Sequence, residues 1–503
     1  MTKVNKKRLS QYIRKLYEEK LILYETEYSE DPLISFLTYD SRQVMKNTVF
    51  VCKGAHFQPS YLKEAVSKGA VCYISQVSYE EGNSIKAVIV KDIREAMAHI
   101  ANLYYDNIWK KLSLIGITGT KGKSTTAYYI KSILDEHMAL KGGEKAGILS
   151  SIENYDGVIF EESHLTTPET LELHNHFKNA VDKDIKYMVM EVSSQALKYD
   201  RTKGIVFNTG IFLNLSQDHI SAFEHKDFKD YKEAKKVLFS QCETAIINKD
   251  SSYFKEMEKE AREGSKSVLS FSLKEDADYR AVDVKHTDSG YRFKVEGKNI
   301  NREFSLNMKG LFNVENALAA ISCCHLLGIK DTVIEAGLSK AKVPGRMEIF
   351  MDESKGVRIF VDYAHNRLSF QTLFDAIFTE YGKVPVSIVF GCPGNKALGR
   401  RKELGEISGQ LADFVYITEE DSGEEDLSLI SKEIFSYAGK GKAKAIIIDS
   451  REDAIKKAID EAPQGGVVLI TGKGRETRQK RGILYEETLS DVQIVERILS
   501  NES

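Results

Sequence analysis

The sequence predicts an α/β protein made of three consecutive blocks, each a sheet covered by helices. Three observations carry that expectation. Short apolar runs alternate with helical stretches along the chain. One of those runs passes straight into a turn rich in glycine and lysine, followed by a helical pattern. The length, 503 residues, is enough for two to four domains of roughly 150 residues each. With only 7 prolines, long stiff linkers are not expected and the blocks should abut.

The first block, residues 1–108, has apolar runs at 48–52, 70–74 and 87–90. Its opening twenty residues are charged and lack the apolar centre of a secretion leader. The second block, 109–345, opens with the apolar run 112–118 and a helical run at 126–134. It continues through strands expected at 187–190 and within 205–213, and alternating residues in 275–303 predict an inserted hairpin. The third block, 346–503, has strand-like runs at 358–361, 384–390, 414–417, 445–448 and 466–470. Helical segments separate them, as a parallel sheet with crossover helices requires.

Composition narrows the function classes. Hydrophobic residues at 42% and charged residues at 29% exclude a mainly disordered chain. A net charge of −3, from 71 basic and 74 acidic residues, gives no global field toward nucleic acid or anionic lipid. No stretch of about 18 apolar residues is present to span a membrane. The six cysteines form no CxxC pair, which removes zinc-ribbon and thioredoxin readings and fits reduced thiols in the cytoplasm.

The strongest local signal is Gly116-Ile117-Thr118-Gly119-Thr120-Lys121-Gly122-Lys123-Ser124-Thr125. Between a strand and a helix, backbone N–H groups from Gly119 to Lys123 can cradle a polyphosphate at a helix N-terminus. Lys123 supplies charge for the β- and γ-phosphates, and the Ser124 hydroxyl can hold Mg²⁺. The strict GxxxxGK[ST] spacing misses by one position, because Ile117 stands where the first glycine belongs. A glycine turn with solvated lysines is the plainer alternative, and its place after a buried strand argues against it. Glu191 puts a carboxylate just past the run 187–190, where an ATPase holds its metal. Alone it would read as a solvated strand cap.

These motifs, in this order, resemble the Mur ligase family over essentially the whole chain. The resemblance implies an N-terminal uridine-nucleotide-binding α/β domain (1–108), a central P-loop ATPase domain with a parallel sheet (109–345) and a C-terminal Rossmann-like domain (346–503). Asp40-Ser41-Arg42 with residues 49–54 resembles the uridine-nucleotide segment, and Ser41 is its binding residue. Thr118, Gly119, Thr120, Lys121, Gly122, Lys123 and Ser124 match the ATP loop. Thr166, Thr167, Ser193 and Arg201 fall in segments that hold the muramoyl-peptide substrate. Asn214 through Asp218-His219 matches the NxxxDH metal motif, and Asn313 and Asn316 resemble the adenine-side asparagines. Pro344-Gly345-Arg346 resembles the hinge into the last domain, and Asp362-Tyr363-Ala364-His365 the segment that brings that domain onto ATP. Lys235 matches the family's carbamylated lysine; without that frame it would read as a solvated helix lysine beside Lys232 and Lys236.

The implied catalytic set is Lys123, Lys235, His219 and Glu191, with Mg²⁺ held by Ser124, Glu191, His219 and the Lys235 carbamate. ATP-side contacts extend to Arg346 and Asp362. The amino acid is expected at Lys396, Asp421, Ser422, Gly423, Gly472 and Glu476, with Arg400 and Arg401 adding charge near Lys396. The implied reaction activates the D-glutamate carboxylate of UDP-N-acetylmuramoyl-L-alanyl-D-glutamate as an acyl phosphate and joins it to an amino acid. The enzyme would act as a cytoplasmic monomer in peptidoglycan precursor synthesis, with ATP and Mg²⁺.

The chain departs from its relatives where the amino acid is read. Diaminopimelate-adding relatives carry DNPR there and lysine-adding ones variants such as DDPN. Here residues 418–426 read Thr-Glu-Glu-Asp-Ser-Gly-Glu-Glu-Asp, with Gly423 in the arginine position. Six carboxylates and no guanidinium favour a cationic side chain, L-lysine first and L-ornithine next. Asn366-Arg367-Leu368 lacks the usual proline after the DYAH segment, and Arg475 stands at the usual histidine. Diaminopimelate addition, a folylpolyglutamate-type ligase and a non-catalytic precursor-binding paralogue are the alternatives.

Overall fold

A computed structural model describes residues 6–27, 30–54, 57–216, 220, 224–396 and 398–500. Its strands fall into three large sheets and one small hairpin. The first sheet runs in the order Ile22–Glu25, Lys86–Val90, Ala70–Ser75, Thr48–Val51, Phe36–Thr38. Its inner strands are parallel. Val49, Phe50 and Val51 are buried on both faces, as a central strand under helices must be.

The second sheet has eleven strands, with Ser113–Thr118 at its centre between Phe207–Phe212 and Tyr187–Glu191. These neighbours run parallel to it, so the phosphate loop and Glu191 leave the sheet at the same edge. In open α/β sheets that edge, beyond the carboxyl ends of the strands, is where ligands bind. The inserted segment is larger than the hairpin expected from residues 275–303. Tyr279–Thr287, Gly290–Gly297 and Ile300–Leu306 form a three-stranded antiparallel meander that extends the sheet. Its third strand buries Ile300, Phe304 and Leu306 on one face, a period-two pattern that continues past residue 303.

The third sheet follows the order Glu348–Asp352, Val357–Asp362, Val467–Thr471, Val386–Phe390, Phe414–Ile417, Lys444–Ile447. All its pairings are parallel except the first. The loops after Asp362, Phe390, Ile417 and Thr471 therefore gather along one edge. The small hairpin, Arg478–Arg481 with Leu484–Glu487, follows the last of those loops. All six cysteines are buried and unpaired. No helix among the described residues is long and apolar enough to cross a membrane.

Candidate active site

The carboxyl edges of the second and third sheets face one cavity of about 1000 Å³. The phosphate loop supplies one wall. Gly122 precedes the helix Lys123–Leu140 with φ of +86°, a left-handed conformation that glycine adopts without penalty. A Cβ there would also stand 2.3 Å from Asn316 Oδ1, so only glycine lets the loop lie against that asparagine. Asn214 braces the loop from the other side. Its carbonyl accepts from the Thr120 N–H at 3.0 Å, its Oδ1 from the Lys121 N–H at 2.9 Å, and its Nδ2 donates to Lys121 O at 3.2 Å.

Two lysines converge on the loop. Lys123 Nζ donates to Gly119 O at 3.0 Å, and so does Lys235 Nζ at 3.0 Å. Lys123 lines the cavity. Lys235 is 1% exposed and approaches from the helix Phe228–Ser240, outside the cavity wall. Tyr231, one turn earlier on that helix, lies 4.6 Å beneath the Lys235 ammonium, and its hydroxyl bonds Thr120 Oγ1 at 3.1 Å. The spacing of four placed them on one helix face, and the sequence reading passed Tyr231 over.

Glu191 is buried at the cavity wall. It accepts from Ser151 N at 2.9 Å and Ser151 Oγ at 3.3 Å, and Ser151 Oγ contacts Ser124 Oγ at 3.1 Å. Arg346 reaches the same hydroxyl, Nη2 to Ser124 Oγ at 3.4 Å. Ser151 carried no motif signal; only the fold brings it here. Among the described residues no group of three or more His, Cys, Asp or Glu side chains forms a metal cage. Asp218 and His219 lie outside the described residues. The oxygen donors of Ser124 and Glu191 are nevertheless the kind that holds Mg²⁺ when phosphates complete the shell.

The expected substrate residues divide. Thr166 lines the cavity, whereas Ser41, Thr167, Ser193 and Arg201 do not. Thr167 Oγ1 donates to Glu191 O at 2.9 Å and accepts from Ser193 N at 3.0 Å. Arg201 pairs with Glu169 at 2.7 Å, and Lys53 of the first sheet unit pairs with the same carboxylate. Ser41 Oγ donates to Glu64 at 2.6 Å, within the first unit.

On the third sheet, Asp362 accepts from Met347 N at 3.0 Å and Ala364 N at 2.8 Å. The Arg346 guanidinium stacks 4.5 Å from the centre of the Tyr363 ring, and the Tyr363 hydroxyl donates to Glu476 at 2.5 Å. Lys473, also passed over, is 4% exposed and bridges Asp421 at 3.0 Å and Glu476 at 2.9 Å. Burial works against its charge, but those two carboxylates outweigh it and raise the ammonium above the usual lysine value. The absent proline after the DYAH segment has a local reason: Asn366 caps the helix Arg367–Tyr381 with Ser369 in a reciprocal capping box. Arg475 makes a bidentate pair with Glu348, at 2.6 and 2.7 Å, away from the cavity wall.

The acidic loop is less anionic than its sequence. Glu419 is held by Arg481 at 2.7 Å, and Glu425 by Arg401 at 2.7 Å. Asp426 caps the helix Leu427–Ala438. Arg401, expected among the cations meeting substrate, is buried in that pairing; Lys396 and Arg400 line the cavity. Glu420, Asp421, Gly423, Glu424, Gly472 and Glu476 line it too, as does Lys480, while Ser422 is buried behind them. Gly423 has φ of +58°, so an arginine there would carry a left-handed backbone cost of about 1 kcal/mol.

Glu420 is buried against Gly472. Burial raises its carboxyl from 4.5 to about 7; Arg451 and Lys473 pull it down and Asp421 pushes it up. A carboxyl with a raised folded-state pKa contributes stability below the unfolded value and loses it as pH climbs through the folded one. Stability should therefore decline between about pH 4.5 and pH 7, and Glu420→Gln should flatten that decline in urea titrations. An unchanged pH profile in the variant would refute the assignment.

Comparison with known proteins gives a consistent family. The Mur ligase middle domain matches residues 117–324, and the Mur ligase glutamate ligase domain matches 345–474. A UDP-N-acetylmuramyl-tripeptide synthetase of Lactobacillus delbrueckii subsp. bulgaricus is 37% identical over 90% of both chains. A UDP-N-acetylmuramoyl-L-alanyl-D-glutamate--2,6-diaminopimelate ligase of Clostridium perfringens is 36% identical over 92% of this chain and 93% of that one. The corresponding L-lysine ligase of Streptococcus thermophilus is 35% identical over 92% of each. The solved structure of a 2,6-diaminopimelate ligase of this kind superposes with a TM-score of 0.65 at 23% identity, covering 95% of this chain and 98% of its own.

Proposed function

The chain belongs to the Mur ligase family of ATP-dependent ligases, and we propose that it joins L-lysine to the D-glutamate of UDP-N-acetylmuramoyl-L-alanyl-D-glutamate. One observation carries the reading: the phosphate loop and the acidic acceptor loop open on the same cavity. A carboxylate does not react with an amine unaided, because oxide would have to leave. At this site the bond between the γ-phosphorus and ADP breaks as the substrate carboxylate oxygen bonds that phosphorus. The amine lone pair then attacks the carbonyl carbon, the C–O bond to phosphate breaks, and the amine releases its proton.

The chain's own groups fit those steps. Loop N–H groups and Lys123 hold the polyphosphate, in a cradle that a Cβ at Gly122 would fill. Ser124 and Glu191, with His219 of the Asn214–His219 motif and Lys235 as its carbamate, would hold Mg²⁺, which neutralises phosphate charge when bound. Asn313 and Asn316 are the adenine-side residues, and Arg346 and Asp362 bring the third unit onto the nucleotide. Enclosure between the two facing sheet units would limit water at the activated carboxylate. Thr166, Thr167, Ser193, Arg201 and Ser41 would follow the muramoyl peptide toward the uridine end. We assign these roles to domains at 1–108, 109–345 and 346–503. We infer a monomer acting in the cytoplasm.

The choice of lysine rests on Glu420, Asp421, Glu424 and Glu476 at the acceptor end, against which Lys473 pairs Asp421 and Glu476, and on the absence of an arginine at position 423. Lys396, at the cavity wall, would meet the α-carboxylate that all candidate amino acids share. Lys480 at the same end favours a second reading, diaminopimelate, whose distal carboxylate it could pair. ATP turnover with the UDP-dipeptide and a panel of amines decides between them. L-lysine should exceed meso-diaminopimelate by about tenfold or more in kcat/KM, the effect of one unpaired charge. A preference for diaminopimelate would overturn the lysine assignment.

A further inference from the structure

The helix Arg367–Tyr381 faces the cavity at one end and touches the second sheet unit at the other. Its first turns line the cavity through Leu368, Ser369 and Thr372. Some 20 Å away at about 1.5 Å per residue, its last turn carries Glu380, whose side chain is 1% exposed. Three groups of the second unit meet that carboxylate. Tyr291 Oη donates to Oε1 at 3.2 Å, Lys309 Nζ donates to Oε2 at 3.1 Å, and His286 Nε2 contacts Oε2. Tyr291 and His286 come from the inserted meander, and Lys309 from the segment leading into the helix Phe312–Leu326.

Lys309 also faces the nucleotide end. Its carbonyl accepts from Asn313 Nδ2 at 2.7 Å. Asn316 Nδ2 donates to Asn313 Oδ1 at 3.2 Å, and Asn316 Oδ1 is the atom that packs against Gly122 of the phosphate loop. A polar path thus runs from a buried carboxylate on the third unit to Asn316, which packs against the loop on the second. Tyr381, beside Glu380, is flanked by Lys309 at 5.1 Å and by Arg358 at 4.7 Å, which fixes the end of the helix further.

We propose that Glu380 is a positioning residue for ATP: through Lys309 it holds the third unit against the second and sets the adenine-side asparagines, without touching the nucleotide itself. The antiparallel meander is the buttress that supplies its other partners. The carboxylate matters as a charge. A glutamine of the same shape leaves the Lys309 ammonium without its counter-charge, and a buried charge stripped of its partner is costly.

The inference rests on the ATP-ligase reading, so nucleotide binding is measured first. Calorimetry with ATP and Mg²⁺ on the full chain should give a saturable isotherm; its absence in the wild type would refute the ligase reading before Glu380 is at issue. With binding established, Glu380→Gln should weaken ATP affinity and raise the ATP KM by about tenfold, the size of losing one charged hydrogen bond. The KM for the amino acid should stay within twofold, because the path ends at the nucleotide. Lys309→Met should do the same, and the double variant should be no worse than the poorer single, since both remove one interaction. A lowered Tm with wild-type ATP affinity, or additive losses in the double variant, would overturn the proposal. If Glu380→Gln fails to fold, Lys309→Met decides alone: unchanged ATP affinity refutes the coupling, and a loss confined to ATP supports it.

Discussion

Lys123→Ala should lower kcat for ATP turnover by about 10²-fold or more, the usual effect of removing one preorganised donor to developing charge. The Lys123 ammonium lies 3.0 Å from Gly119 O at the cavity wall, at the start of a helix whose N-terminal amides carry only partial positive charge. Lys121 also lines the cavity, but its backbone is committed to Asn214 through both its N–H and its carbonyl. The loss should appear mainly in kcat, because the charge on the transferred phosphoryl group is what a compact cation answers. Lys123→Arg tests geometry: a planar fork longer than an ammonium should recover binding better than turnover. Turnover like the wild type's in Lys123→Ala would refute the phosphate-loop assignment.

About half of the strands were legible, those that are short apolar runs bounded by polar turns; Cys242–Asn248 and Ser267–Ser272, in the central sheet, were not read. The run 414–417 became the strand Phe414–Ile417, and 187–190 became Tyr187–Glu191. The phosphate loop was legible for a related reason: its glycines, lysine and serine are adjacent in sequence. Charge pairing was not. Glu425 meets Arg401 across 24 positions, and Lys309 meets Glu380 across 71; no local pattern marks either. Counting six acids in the acceptor loop therefore overstated its field, since Arg481 and Arg401 arrive from a hairpin and a helix that only folding brings near. The meander was half visible, its alternation being read as two strands where Ile300–Leu306 adds a third.

Lys235→Ala should be nearly inactive, with kcat reduced by on the order of 10²-fold or more, and added bicarbonate should not restore it. The argument is positional. Lys235 is 1% exposed, and its Nζ lies 3.0 Å from Gly119 O, the carbonyl that Lys123 also meets. It stands over Tyr231, which in turn holds Thr120. A lysine so placed governs the loop's shape as an ammonium; as a carbamate it would add an anion to the oxygen donors of Ser124 and Glu191 for Mg²⁺. Short carboxylic acids distinguish the two roles, because they can stand in for a carbamate and not for an ammonium. Partial recovery of Lys235→Ala by acetate, with none by ethylamine, would assign the carbamate, and the reverse would assign the ammonium. Wild-type-like turnover in Lys235→Ala without any addition would remove the residue from the catalytic set.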